Sequence, residues 1–439
     1  MHPKHIGWIG VLALGIAGCA ASDERTPGVV VPPEFAGEVG SDDPAAPVAG
    51  SGGQTSGIPS AGTGGSTNEA GIPVTGGLSG SGGSAPGAAG ASGGQEQPPA
   101  ADAGGLPPDD TTPPDDTTPP DDGVVDGPVG PGPSSLPAPP GNANVPRPSG
   151  VAGDITILNW AGFTGAVTYS FDDNNQSQIQ NYDTLNALDV PFTFYLWTGQ
   201  QSASNAVWRR ALADGHEIGN HTLSHNPNTC TPADINSATQ FIQNNLGTRA
   251  QTMAAPNGNI CYKAAATGLF FINRGVSPAQ PVLPNDNSDP LNLNCYIPAP
   301  GQQTGTYNNN VNDARTRGGW VIYVVHGFTG DPNAFQPGDV NQLTAAIQYT
   351  KSLGDMWIGP MVDVGAYWLG QRAFSRAMTS QNGNARTFSW TLPGQFPQGK
   401  YIRARVAGGT LSQNGQPLTW DPHGYYEIAL DAGSVTLTP

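Results

Sequence analysis

The chain has 439 residues, 61 of them Gly and 43 Pro, with a formal net charge of −17. Residues 1–150 hold 3 Lys/Arg against 16 Asp/Glu, whereas residues 151–439 hold 14 against 18. The length allows two or three domains, the acidity belongs to a tail rather than a folded surface, and no basic patch supports nucleic acid as a partner.

The chain opens with Lys4 ahead of the apolar run "IGWIGVLALGIAG" at 6–18, which is too short to span a membrane as a mature helix and reads as an export signal. It ends in "IAGC", residues 16–19, which resembles a bacterial lipobox. That resemblance implies cleavage before Cys19 and a lipid on its thiol, so residues 1–19 are read as a lipoprotein signal. The plainer alternative is a secretory peptide cut near "AGCAAS". Ala20, rather than Asp, points to the outer membrane or cell surface if the host is diderm. Residues 20–150 are Gly, Ser, Ala, Pro and Asp, including "PPDDTTPPDDTTPPDD" at 107–122. Such composition buries too little apolar surface to offset chain entropy, so a disordered linker is expected. As a Gly-type coil it would reach roughly 60 Å, enough to hold a domain off a membrane. Export permits disulfides, but Cys230, Cys261 and Cys295 leave one thiol over. At most one bridge is expected, of unassigned pairing.

Folding signals begin near Val151. The strand-like runs "GAVTYSF", "PFTFYLW" and "WVIYVVHGF" alternate with helix-like runs such as "ADINSATQFIQNNLG" and "GDVNQLTAAIQYTKSLG". This alternation predicts an α/β domain with a mainly parallel sheet, assigned here to residues 151–378. From residue 379 the pattern changes to period-2 alternation with Gly and Asn turns, in "RTFSWTL", "KYIRARVAGGTL" and "YYEIALDAGSVTLT". Residues 379–439 therefore read as a small antiparallel β module, with "DAG" at 431–433 as a hairpin turn. Its Trp390 and Trp420 fall in no readable binding pattern, so a cap on the preceding domain is the simpler reading.

Four short stretches carry chemistry. "SFDD" at 170–173 ends a strand in two adjacent carboxylates that repel each other, which is either a solvated turn or a pair with different tasks. "GHEIGNHTLSH" at 215–225 spaces His221 and His225 four apart, half of a common metal site and weak alone. "AAPNGNI" at 254–260 is by itself a Pro–Asn–Gly loop, and His326 ends a very apolar strand. In α/β sheets and barrels, ligands bind at the carboxyl ends of strands, where all four stretches would lie. Two imidazoles and one carboxylate leave an open position, as catalytic rather than structural zinc sites do. One aspartate would ligate the metal, and its neighbour would serve as base.

In this order the stretches resemble the polysaccharide deacetylases of carbohydrate esterase family 4, the NodB homology group. "SFDD" is similar to the family's T-F-D-D, "HTLSH" to H-[ST]-x-x-H, "AAPNG" to the R-x-P-[FY] region, and "VVH" to the last motif. The resemblance covers about residues 160–375 and implies a distorted, incomplete (β/α) barrel. It implies Asp172 as general base and His326 as general acid. Asp173, His221 and His225 would hold one divalent metal, zinc in the first place, with cobalt, nickel or manganese able to use the same ligands. The turn at Pro256 and Asn257 would contribute to oxyanion or substrate binding, through the Asn257 backbone N–H.

Two departures stand out. The family's third-motif Arg is replaced by Ala254, and we expect Arg274, in "NRGV", to take over as partner of Asp172. The fourth motif, which tunes the acid His, is not recognisable, leaving Asp286, Asp289 and Asp313 as unassigned candidates. The expected activity is metal-dependent deacetylation of a polysaccharide, with N-acetylglucosamine polymers (chitin or peptidoglycan) ahead of acetylated xylan. A surface lipoprotein that binds polysaccharide without turnover is the alternative. The expected partners are the polysaccharide and, through Cys19, the membrane, with the chain a monomer. Trp160, Trp197, Trp320 and Trp357 could stack on sugars, though core or rim is the simpler reading for each.

Overall fold

The computed structural model describes residues 134–439, so the expected signal, Cys19 and residues 20–133 of the linker lie outside the described residues. Among the described residues no helix is long and apolar enough to cross a membrane. The strands, in chain order, are β1 (Ile155–Ile157), β2 (Gly165–Asp172), β3 (Thr193–Leu196), β4 (Glu217–Asn220), β5 (Thr252–Ala254), β6 (Ile272–Arg274), β7 (Trp320–Val325), β8 (Met356–Ile358), β9 (Met378–Asn382), β10 (Ala385–Ser389), β11 (Tyr401–Val406), β12 (Thr410–Gln413), β13 (Gln416–Pro417), β14 (Trp420–Asp421), β15 (Tyr425–Ala429) and β16 (Ser434–Thr438).

β2 to β8 form one parallel sheet in the order β6-β5-β4-β3-β2-β7. β8 pairs with the amino half of β2, on the edge opposite β7. The sheet curls into a distorted (β/α) barrel. Between β6 and β7 no regular strand intervenes. Residues 293–296 span the gap, bridging Arg274 through Leu293 and Tyr323 through Tyr296, with Gly275 N donating to Leu293 O at 2.9 Å and Tyr296 N to Ile322 O at 2.7 Å.

Strand alternation sets which side chains enter the barrel. Val167, Tyr169 and Phe171 pack in one core with the surrounding helices, together with Ile235, Tyr307 and Ile347. Ala166, Trp320, Ile322 and Val324 belong to a second core. The same parity carries Thr168, Ser170 and Asp172 inward on β2, and it carries His326 inward just beyond β7. Of the four tryptophans considered above, Trp160, Trp320 and Trp357 are core. Helix Pro232–Leu246 is bounded as its sequence dictates: the Thr231 side chain accepts from Asp234 N at the start, Pro232 sits in the first turn, and Gly247 ends it at φ 74°. The inner end of helix Met361–Ser375 meets the barrel's amino-terminal mouth, where Met361 N donates to Thr193 Oγ1 and Val362 N to Glu217 Oε2.

The C-terminal module is a sandwich of two antiparallel sheets, β1-β11-β15-β14 and β13-β12-β16-β10-β9. Two features differ from the sequence reading. β1, from before the barrel, pairs with β11 and so belongs to the sandwich. The turn at 430–433 is not a hairpin, because β15 pairs with β11 and β14 while β16 pairs with β10 and β12. It carries the chain from one sheet to the other, so that both Leu430 and Val435 enter the shared core. Period-2 patterning reports which face is buried, not which strand is the neighbour.

The last part of the expected linker is held against this module. Arg403 and Glu427 form a buried ion pair at 3.1 Å. Arg403 also donates to the carbonyls of Leu136, Pro137 and Ala161, and Glu427 accepts from Ser134 N and Oγ. Trp420 Nε1 donates to Val145 O at 2.9 Å. Removing one partner of such a pair strands the other charge. Arg403→Ala is therefore expected to lower stability by about 3–5 kcal/mol, read as an earlier urea midpoint, and a midpoint like that of the parent chain would contradict this role.

Candidate active site and metal centre

The candidate residues meet at the carboxyl end of the barrel. Phe171 on β2 is level with Val325 on β7, so Asp172 and His326, one residue further on, leave adjacent strands at the same height. Ala254 is level with Arg274, and His221 directly follows β4. Asp173 turns out of strand geometry at φ 71°, and Thr222, His225 and Asn257 take φ 65°, 50° and 52°. Left-handed backbone at non-glycine residues costs on the order of 1–3 kcal/mol each and persists only where surrounding contacts impose it.

Those contacts are present. Thr222 N donates to Asn220 Oδ1 and His225 N to Thr222 Oγ1. Ser224 donates through both N and Oγ to Asp234, tying the loop to helix Pro232–Leu246. Trp197 stacks on the His225 ring at 4.6 Å and donates from its indole to Leu223 O. The Cys230–Cys261 disulfide joins the loop after His225 to the segment after Asn257, and Cys295 stays free and buried. Asn259 Nδ2 donates to Pro227 O and the Tyr262 hydroxyl to Asn226 O across the same junction.

The two aspartates have different surroundings. Asp172 is buried and ion-paired through Oδ2 with Arg274, itself fully buried; its Oδ1 is buried with no hydrogen-bond partner among the described residues. Arg274 also donates to Gly275 O at 2.9 Å and contacts Cys295 Sγ at 3.6 Å. Asp173 Oδ1 lies 3.3 Å from Nε2 of both His221 and His225, and His221 Nε2 is 3.7 Å from Asp172 Oδ2. Burial would raise the Asp173 pKa, but the facing imidazoles outweigh it and hold the carboxyl far below its usual range. Burial alone would push His221 down. The Asp172 and Asp173 charges reverse this and raise it. His326 is pushed down by burial, against which the same carboxylates act only in part.

The donor set fits a cation. Asp173, His221 and His225 offer ligand atoms all within 4.8 Å of one another. His221 Nδ1 lies 2.9 Å from Ala254 O; donation there leaves Nε2 with its lone pair facing the others. Such a backbone partner fixes the tautomer of a ligating His. Lone pairs of two imidazoles and a carboxylate converging on one point, with Asp173 Oδ1 buried and unsatisfied, repel unless a proton or a metal lies between them.

Arg274 thus stands where the sequence reading put it, beside Asp172, and Ala254 contributes its carbonyl instead of a side chain. Asn257 sits exposed in the turn Pro256–Gly258. The three Asp candidates for the fourth motif lie elsewhere: Asp286 accepts from Leu283 N and Ser288, Asp289 pairs with Lys263, and Asp313 with Arg317. Sequence reasoning missed Gln178, whose Nε2 donates to the carbonyls of both Asp172 and His326 and so locks the two strand ends together. Alternation along "HEIGNH" points Glu217 away from the His pair, and it lies at the barrel's other mouth. Glu217 accepts from Thr193, Thr252 and Val362 N, and burial pushes it up to about 7. The Tyr195 hydroxyl, 3.0 Å from Thr252 Oγ1, stands between this carboxyl and Arg274, whose guanidinium lies over the Tyr195 ring.

If Arg274 orients Asp172, Arg274→Ala should lower kcat/KM by about 10²-fold, with metal stoichiometry retained. Arg274→Lys, which keeps the charge without the guanidinium fork, should recover part of the loss. Full activity in Arg274→Ala would contradict this role.

Residues 164–268 match the family model described as polysaccharide deacetylase. The chain is 26% identical over 272 residues to a gellan lyase of Bacillus sp., a match covering 54% of this chain and 11% of that protein, so the chain spans only a small part of that relative. Similar solved structures include the catalytic domain of a peptidoglycan N-acetylglucosamine deacetylase from Eubacterium rectale, at 16% identity and TM-score 0.33, covering 48% of this chain and 92% of that one. A family 4 acetyl xylan esterase from Clostridium thermocellum aligns at 20% identity and TM-score 0.32, covering 45% and 89%. A polysaccharide deacetylase from Bacillus cereus aligns at 15% and 0.31, covering 44% and 91%. Residues 164–268, which hold Asp172, Asp173, His221, His225 and Asn257, are by this match a polysaccharide deacetylase domain of the NodB, carbohydrate esterase family 4 type, and Arg274 and His326 lie beyond the matched stretch.

Proposed function

We propose that the protein removes acetyl groups from a polysaccharide by metal-dependent hydrolysis, with N-acetylglucosamine polymers as first substrates and acetylated xylan second. One observation carries the reading: adjacent carboxylates have opposite arrangements, Asp172 clamped by Arg274 with Oδ1 free, and Asp173 facing two imidazoles. A solvated turn would need neither the buried guanidinium nor the converging lone pairs.

Asp173, His221 and His225 would hold the metal, and zinc suits two imidazoles and a carboxylate. When bound, such an ion polarises an acyl oxygen and makes water a nucleophile near neutral pH. The chain's residues supply the rest. Asp172 Oδ1 is the free acceptor for the water's proton, and Arg274 prevents the carboxylate from rotating away. His326, held level with Asp172 by strand register and by Gln178, is placed to protonate the leaving nitrogen or oxygen. The Asn257 backbone N–H is the proposed oxyanion donor. Trp197 supports His225. Residues 1–19 motivate an exported, lipid-anchored location, with the linker giving reach.

Acetate release by the full chain tests this, with N-acetylglucosamine oligomers, peptidoglycan and acetylated xylan supplied in parallel. Release should stop with chelator and return with one equivalent of zinc, and Asp172→Asn should lose at least about 10²-fold in kcat while keeping metal. No release from any substrate by the metal-loaded chain would favour a polysaccharide-binding role instead.

A further inference from the structure

Beside the metal site lies an open groove with a volume of about 790 Å³, running from Asp173 and Trp197 over the turn Gln201–Ser204 to the loop after His326. Its lining is nearly all amide and hydroxyl: Gln176, Gln200, Gln201, Ser204, Asn205 and Asn333 are exposed in it. Among the described residues Asp173 is its one charged lining residue, and neither Lys nor Arg lines it. The nearest sequence cations are engaged elsewhere, Arg209 with Asn245 O and Arg210 with Asp183 and Asp214.

The groove is built rather than incidental. Buried Asn174 donates to Ser202 Oγ at 2.6 Å and accepts from Trp197 N at 2.7 Å, which fixes the turn to the site. On the far side, Asp331 accepts from Ser177 N at 2.7 Å and from Asn333 N at 3.1 Å, pinning the loop that bears Asn333. The same loop holds Phe335 edge-on to His326 at 5.3 Å while leaving it 54% exposed. An apolar ring fixed in water beside the proposed acid is a platform for the C–H face of a sugar ring.

Resting on the deacetylase reading above, we propose that this groove binds an uncharged glycan chain and discriminates against polyanionic ones. Side-chain amides both donate and accept, matching sugar hydroxyls. A uronate or peptide carboxylate lying along this groove would lose water without gaining a Lys or Arg partner. With 14 Lys/Arg against 18 Asp/Glu, residues 151–439 offer no long-range attraction to a polyanion either. Of the substrates considered, chitin-like oligomers and unsubstituted acetylated xylan fit, whereas peptidoglycan with free peptide carboxylates and acidic polymers such as gellan do not.

The test pairs substrates sharing one scissile group and differing in charge: N-acetylglucosamine oligomers against hyaluronan oligomers, and acetylated xylan against acetylated gellan. At low salt the neutral member of each pair should have a kcat/KM at least about 10-fold higher, carried mainly by KM. Gln201→Lys with Asn205→Lys should narrow that ratio by about 10-fold through KM. Equal or reversed preference in the parent chain, or an unmoved ratio in the variant, would overturn the proposal. Release from none of the four would instead refute the deacetylase reading. Calorimetric binding of the same oligomers would then decide the groove's preference, with tighter binding of hyaluronan counting against it.

Discussion

The site depends on the ion pair between Arg274 and Asp172. Placing two carboxylates next to each other at the end of a buried strand is unfavourable unless each is compensated separately. Arg274 compensates the first from inside the barrel, where the guanidinium is out of contact with solvent and has only protein partners. Its other partners, Gly275 O and Cys295 Sγ, belong to β6's end and to the irregular segment that closes the barrel. Barrel closure and the orientation of Asp172, the proposed base, are therefore linked. The second carboxylate is left to face two imidazoles, an arrangement fit to hold a cation.

The fold divides the labour between strands and loops. Strands deliver Asp172, Arg274 and His326 by parity and register. Loops in strained backbone deliver Asp173, His225 and Asn257, and they hold only because cross-links surround them. The disulfide, Asp234 and Trp197 all fasten the segment around His225, so the loop that bears this candidate ligand and the Pro256–Gly258 turn are anchored to each other as well as to the barrel. The sandwich, with its buried Arg403–Glu427 pair, packs on helix Met361–Ser375. There Gly370 leaves no room for a larger residue against Leu430 and Ile402.

Much of this was legible because the signals were local. "SFDD" and "HTLSH" each carry their chemistry within a few residues, and alternation in "GAVTYSF" already says that Asp172 shares a face with Ser170 and Thr168. Arg274 could be singled out because the family resemblance asks for an Arg beside the base, Ala254 stands in its place, and Arg274 ends the next strand-like run. What escaped was long-range. Nothing near "SQIQ" announces that Gln178 spans two strand ends. Nothing in "YYEIALDAGSVTLT" says that its turn crosses between sheets. Residues 134–149 look like more of the linker because their partners, Arg403, Glu427 and Trp420, lie more than 250 positions away. The three Asp candidates for the fourth motif were chosen by composition, and each is satisfied by its own neighbourhood.

The central claim is that Asp173, His221 and His225 converge because a cation belongs between them. Calorimetric titration of the chelator-treated full chain with zinc measures this directly. The account predicts one equivalent bound per chain, abolished in Asp173→Ala and in His221→Ala and preserved in Asp172→Asn. Absence of binding by the folded parent chain, or unchanged stoichiometry when Asp173 is removed, would contradict it.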